Sequence, residues 1–216
     1  MSTRSSFWFA FPLAVFVVAA AEFPPPATDI PAAATKQKAT AVLAGGCFWG
    51  VEAVFERLKG VSDVVSGYAG GSRITAEYEI VSSGVTSHAE SVKITFDPSQ
   101  ISYGRLLQIY FAVAHDPTTL NRQGPDTGTQ YRSAIFYATD DQKRVAEAYI
   151  DQLNKSKVFA RAIMTQVVPL KGFYDAEDYH QHYIDHHPND PYVVYNDLPK
   201  IKHLQEQFPE LLKRRN

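Results

Sequence analysis

Hydrophobic and polar residues alternate cleanly from Ser91 to Phe96. Val92, Ile94 and Phe96 share one face, and Ser91, Lys93 and Thr95 share the other, the period of a half-buried strand. Asp97-Pro98 closes it. Thr40 to Ala44 is a short apolar run that ends in Gly45-Gly46, which predicts a buried strand and a tight turn. Val51, Val54, Phe55 and Leu58 then recur at helical spacing, and Gly60 stops the pattern. Val61 to Tyr68 predicts a second strand, closed by Gly70-Gly71. Ser102 is placed to cap a helix from Tyr103 to about His115, whose apolar side carries Leu106, Leu107, Ile109, Tyr110 and Val113. Further on, the pattern predicts a strand over Ser133–Tyr137, a helix from Asp140 to about Asn154 and a strand over Ala162–Pro169. A helix is expected from Ala176 to about His186, capped by Asp175, and a last one from Leu198 to Lys213, interrupted at Pro209. Strands and helices alternate except at one pair of strands. The expected class is therefore α+β, a two-layer mixed β-sheet with flanking helices.

The first residues break this pattern. Arg4 is followed by an apolar, uncharged run from Phe7 to Ala21, and Ala19-Ala20-Ala21 offers an A-x-A cleavage site before Glu22. Residues 1–21 read as a signal peptide, with an uncleaved N-terminal anchor as the alternative. The run is short for a membrane span of roughly 20 apolar residues. Pro24, Pro25 and Pro26 end it, and residues 22–38 read as a flexible Pro/Ala-rich tether with no packed core. Residues 39–216 form the expected folded domain. Export, to a periplasm or to the outside, follows from the leader.

Composition narrows the function. With 45% hydrophobic and 20% charged residues, the chain is an ordinary globular protein with enough apolar surface for a core. A formal charge of −2 gives no footprint for nucleic acid. Cys47 is the one cysteine, so no disulfide can form within a chain. It is a reactive thiol, an intermolecular partner or a buried apolar side chain. It sits in Gly45-Gly46-Cys47-Phe48-Trp49-Gly50, between a predicted strand and a predicted helix. Two glycines let the chain turn and a ligand approach. The helix N-terminus should favour thiolate. Phe48 and Trp49 are either an aromatic wall for a small apolar group or core residues at a helix start.

Gly-Cys-Phe-Trp-Gly resembles the signature of the A-type peptide methionine sulfoxide reductases. The likeness continues through Gly67-Tyr68-Ala69-Gly70-Gly71, His88-Ala89-Glu90, His115-Asp116-Pro117-Thr118, Gly128-Thr129-Gln130-Tyr131-Arg132-Ser133 and Ala176-Glu177-Asp178-Tyr179-His180-Gln181. These blocks run in the family's order from about Ala41 to Pro191. The resemblance implies a mixed sheet with a ferredoxin-like core and reduction of methionine-S-sulfoxide, free or in oxidised proteins. It implies Cys47 as nucleophile, passing through a sulfenic acid.

By the same resemblance Glu90 is the acid that protonates the sulfoxide oxygen. Its strand parity with Val92, Ile94 and Phe96 independently points it at the apolar side, where burial would raise its pKa. The alternative is a solvated charge at the strand end. Tyr78 and Tyr131 match tyrosines that hydrogen-bond the oxygen, though among 12 tyrosines half-buried packing is the ordinary role. Asp126 matches a site-organising aspartate in a long polar loop, Asp116 to Gln130, where it could equally be a turn residue. Tyr192 falls near a third tyrosine. The chain departs from family members with a C-terminal resolving cysteine: Val193-Val194-Tyr195-Asn196 follows Tyr192 and no Cys. An external thiol, from thioredoxin, glutaredoxin or a small molecule, must then reduce the sulfenic acid. No cofactor and no metal are expected. His180, His182, His186 and His187 read as a solvated helix end, because no Cys or paired carboxylates stand at ligand spacing near them. A monomer is expected. A single-cysteine peroxidase and a non-catalytic binder of oxidised methionine are the competing readings.

Overall fold

The computed structural model describes residues 23–31 and 37–213. The predicted signal peptide lies outside the described residues. Strand β1 (Ala39–Gly45) leads into α1 (Phe48–Glu56), and β2 (Val61–Ala69) follows. The short helix α2 (Tyr78–Val81) precedes β3 (Ala89–Phe96). Helix α3 (Tyr103–Ile109) continues as a π-helical turn, Tyr110–Ala114. Strands β4 (Arg122–Gln123) and β5 (Asp126–Thr127) make a small hairpin inside the long loop. Then come β6 (Ser133–Tyr137), α4 (Asp140–Ser156), β7 (Gln166–Pro169) and β8 (Phe173–Asp175). The chain finishes with α5 (Tyr183–His186), a π-helical turn Val193–Asp197, α6 (Leu198–Gln207) and a 3-10 turn, Pro209–Leu211.

The main sheet runs β7-β6-β1-β3-β2-β8. All its pairs are antiparallel except β6 with β7, so the sheet is mixed, as expected. Its four central strands lie in the order fourth, first, third, second along the chain, counting β1, β2, β3 and β6. With α1 and α3 as crossovers this is the split βαβ arrangement of a ferredoxin-like core. The core lies between one face of the sheet and the helices. Leu43, Val64, Tyr68, Val92, Ile94 and Ile135 meet Val51, Val54 and Phe55 of α1, Leu106 of α3 and Tyr149 of α4. Fully burying each such aliphatic or Phe side chain contributes about 1.5–3 kcal/mol. The apolar run of β1 is explained by the other face, where Val42 and Ala44 join Ala134 and Phe136 in a smaller cluster.

Ser102 caps α3 as expected, its hydroxyl accepting from Arg105 N at 3.1 Å. Two expectations are corrected. Residues 23–31 are docked and do not form a free tether. The prolines cannot donate, but their carbonyls accept: Tyr149 Oη donates to Pro24 O at 2.6 Å and Gln152 Nε2 to Pro25 O at 2.8 Å. Asp29 accepts from Gly104 N at 2.8 Å at the start of α3, and Phe23 packs on Phe159. The expected helix from Ala176 to His186 is also replaced, by a 3-10 turn Asp178–His180 and the short α5. The amide of Gln181 binds the β2 backbone instead, accepting from Ser66 N and donating to Ser66 O, both at 3.0 Å. Ala176 N also donates to Ser66 O, at 2.9 Å. A helix through these residues would give up those bonds.

Candidate active site

Cys47 stands between the end of β1 and the first turn of α1. Gly46 has φ +88°, and a Cβ there would come within 2.5 Å of Gln123 Cβ. Both facts require glycine, and the turn they allow brings Cys47 to the N-terminus of α1. The thiol is buried, at 8% exposure. Burial, then the Glu90 and Asp197 carboxylates, push it well above its ordinary value; the Trp49 N–H and the Lys200 cation oppose this. The helix terminus does favour thiolate, as expected, but burial outweighs it. The resting group is a neutral thiol.

Strand β3 begins at Ala89, so Glu90 lies within the strand, opposite Tyr68 of β2, and is not a solvated strand end. It is 2% exposed, and its carboxyl accepts from Phe48 N at 3.1 Å. Burial pushes it up to about 8, against the Phe48 N–H and with help from Asp126. At neutral pH this carboxyl is therefore an acid with a proton to give.

The aromatic wall is built from both ends of the chain. Phe48 is buried beside Tyr68 and His180, with ring centroids 5.9 and 5.0 Å away. Trp49 is half-buried, stacked on Tyr183 at 3.6 Å and edge-on to Tyr192 at 5.8 Å. Its Nε1 donates to His180 Nδ1 at 3.2 Å. That bond leaves the imidazole proton on Nε2, 4.0 Å from Glu177. Glu177 accepts from Tyr68 Oη and Tyr78 N, both at 2.8 Å. Tyr78 packs on His180 at 4.5 Å, and its phenol is raised by burial, then by Glu90 and Cys47. Tyr131 closes the 3-10 turn Thr129–Tyr131, and burial, Glu90, Asp126 and Cys47 raise it as well. Tyr192 Oη donates to Asp126 Oδ2, joining the hairpin loop to the C-terminal segment.

The fold thus gathers Cys47, Phe48, Trp49, Tyr78, Glu90, Asp126, Tyr131 and Tyr192 around one place. Sequence reasoning missed Glu177, His180 and Tyr183, which hold the wall, and the buried Asp197. His180 is 2% exposed, not part of a solvated helix end; His182, His186 and His187 are exposed. The signal for His180 was available in Glu177–Gln181, a block with no assigned roles.

Among the described residues, Glu52, Glu56 and His182 are the group that could hold a metal ion, their ligand atoms lying within 4.8 Å of one another. The paired carboxylates come from α1, remote from the histidines in the chain. The three already bind each other: His182 N donates to Glu52 Oε2 at 2.9 Å, and His182 Nδ1 meets Glu56 Oε1 at 2.5 Å. They clamp α1 to the segment that carries His180 and Tyr183. Glu52 is 1% exposed, and burial, then Glu56, push its carboxyl from 4.5 to about 8. Between those values the folded protein keeps a proton the unfolded chain has lost, so stability falls as pH rises. Glu52→Gln should remove this slope, gaining up to about 5 kcal/mol over the wild type near pH 9 and nothing below pH 4. Melting curves at several pH values check it; parallel curves for the two proteins would contradict it.

The family model described as peptide methionine sulfoxide reductase matches residues 39–212. A peptide methionine sulfoxide reductase of Mesorhizobium japonicum is 58% identical over 172 residues, 80% of this chain and 88% of its own length. Another, from Synechocystis, is 54% identical over 192 residues, 88% of this chain and 90% of its own. The crystal structure of reduced Mxr1 from Saccharomyces cerevisiae superposes with a TM-score of 0.64 at 35% identity, covering 75% of this chain and 90% of that one. The family match runs from the first strand to Leu212, which closes the domain by bridging to Leu58, and over that span the chain belongs to the peptide methionine sulfoxide reductases.

Proposed function

We propose that this protein reduces methionine-S-sulfoxide, free or in oxidised proteins, to methionine at the expense of an external thiol. The observation that carries the reading is the buried Glu90, which accepts from Phe48 N next to Cys47 and whose carboxyl burial pushes up to about 8. The Cys47 sulfur attacks the sulfoxide sulfur. Glu90 gives its proton to the sulfoxide oxygen and recovers one from the thiol. Oxygen passes to Cys47 as sulfenic acid, and the thioether leaves. Phe48 and Trp49 wall the methyl group, while the Tyr78 and Tyr131 phenols donate to the oxygen without adding charge. Tyr192 and Asp126 set the loop that closes over them.

Cys47 has no second cysteine to pair with in its own chain. One external thiol therefore displaces water from the sulfenic acid, forming a mixed disulfide, and a second releases Cys47 and leaves as disulfide. A thioredoxin, a glutaredoxin or a small thiol fits this role. The apolar leader supports an exported enzyme; among the described residues no helix is long and apolar enough to cross a membrane.

Turnover with dithiothreitol tests the reading. The S epimer of a methionine sulfoxide peptide should be consumed catalytically, the R epimer spared, and hydrogen peroxide destroyed far more slowly. Peroxide outrunning the sulfoxide would assign a peroxidase, and capture without turnover a binding module.

A further inference from the structure

Asp197 is fully buried at 0% exposure, and its Oδ2 has no hydrogen-bond partner. Oδ1 accepts from Lys200 Nζ at 3.1 Å. The pair is pressed against α1. A Cβ built on Gly50 would lie 2.1 Å from Asp197 Oδ1 and 2.7 Å from Lys200 Nζ, so only glycine admits it. Gly50 is three residues beyond Cys47, and positions i and i+3 share a helix face. A buried carboxylate with one open oxygen therefore stands on the face of α1 that carries the nucleophile.

We propose that the Asp197–Lys200 pair is a positioning device for the nucleophile: the Asp197 carboxylate, ion-paired with Lys200, keeps resting Cys47 protonated and so shields the chain's one thiol from peroxide. The proposal rests on the reductase reading only in naming Cys47 as nucleophile. Thiolate is the form that peroxide oxidises: the sulfur attacks one peroxide oxygen, the O–O bond breaks and hydroxide leaves. A sulfenic acid made this way invites further oxidation to sulfinic acid, with no second cysteine to intercept it.

Other groups also face Cys47, and they differ in charge. Glu90 from β3 is neutral below about 8. Tyr78 from α2, Tyr131 from the 3-10 turn, Tyr183 from α5 and Tyr192 beside the second π turn carry phenols raised above their ordinary value, and so are neutral too. Lys200 from α6 is the opposing cation. That leaves Asp197, ion-paired with Lys200 at 3.1 Å, as the carboxylate acting on the thiol, its own carboxyl pushed up by burial and pulled down by Lys200. Removing Asp197 would leave an uncompensated cation beside Cys47.

Iodoacetamide alkylation of Cys47 against pH tests this directly. Asp197→Asn should lower the midpoint by about one unit, speeding alkylation near neutral pH about tenfold. Oxidation of Cys47 by hydrogen peroxide should accelerate in parallel. Lys200→Arg should keep the wild-type midpoint. Adding Lys200→Gln to Asp197→Asn should move the midpoint back up, because the freed cation is gone. An unmoved midpoint in Asp197→Asn overturns the proposal. So does a further fall in the double variant, since that is the signature of a loosened site. Failure of the reductase reading would show separately, as wild-type protein that alkylates as expected but turns over no sulfoxide.

Discussion

Cys47→Ser is expected to abolish sulfoxide reduction while leaving the protein folded. Serine is smaller and keeps a polar hydrogen, and the Trp49 N–H that opposes the raised thiol remains to meet its oxygen. The cost to stability should stay within about 1–3 kcal/mol, the usual penalty for a buried hydroxyl that is imperfectly satisfied. The chemistry, by contrast, has no substitute. A hydroxyl held neutral in this buried site is a poor nucleophile toward sulfur, and no other sulfur exists in the chain except two methionine thioethers. Turnover by the variant should match the uncatalysed reaction of dithiothreitol alone. Near wild-type turnover would remove Cys47 from the reaction.

Glu90→Gln should slow the reductase step by roughly 10²-fold or more, the range for a lost general acid. The amide oxygen of glutamine can still accept from Phe48 N, so the first turn of α1 should hold. What disappears is the proton. The wild-type rate has its own pH signature. With its carboxyl pushed up to about 8, Glu90 carries the proton below that value and loses it above, so the rate should fall as pH rises through about 8. Glu90→Gln should lack that limb. Stopped-flow measurement of the single reductive turnover reads both features. An unchanged rate, or the same alkaline limb in the variant, would contradict the assignment.

The residues alone carried much of this site, and the exceptions have physical causes. Parity along β3 pointed Glu90 inward because a strand's period is two and burial follows the face. Gly45-Gly46 followed by helical spacing placed Cys47 at a strand-to-helix turn. The state of the thiol was not readable: helix termini and burial pull in opposite directions, and depth of burial is a property of the whole fold. The segment from Ala176 to His186 departs from its helical pattern because tertiary bonds from Gln181 and Glu177 to β2 and Tyr78 overrule it. Prolines near the N-terminus suggested a tether, yet their carbonyls satisfy Tyr149 and Gln152. Asp197 and Lys200 lie beyond Pro191, where the last block that carries the sequence resemblance ends. Only the contact with Gly50, almost 150 residues away in the chain, gives them a place.

The most direct measurement is a single turnover with no thiol present. Folded protein is mixed with separated epimers of methionine sulfoxide in an N-acetylated peptide, and the protein is then weighed by mass spectrometry. The expected result is that one equivalent of the S epimer is reduced, the R epimer is untouched, and Cys47 gains one oxygen. If neither epimer is consumed while Cys47 still titrates as a free thiol, this site does not reduce sulfoxides.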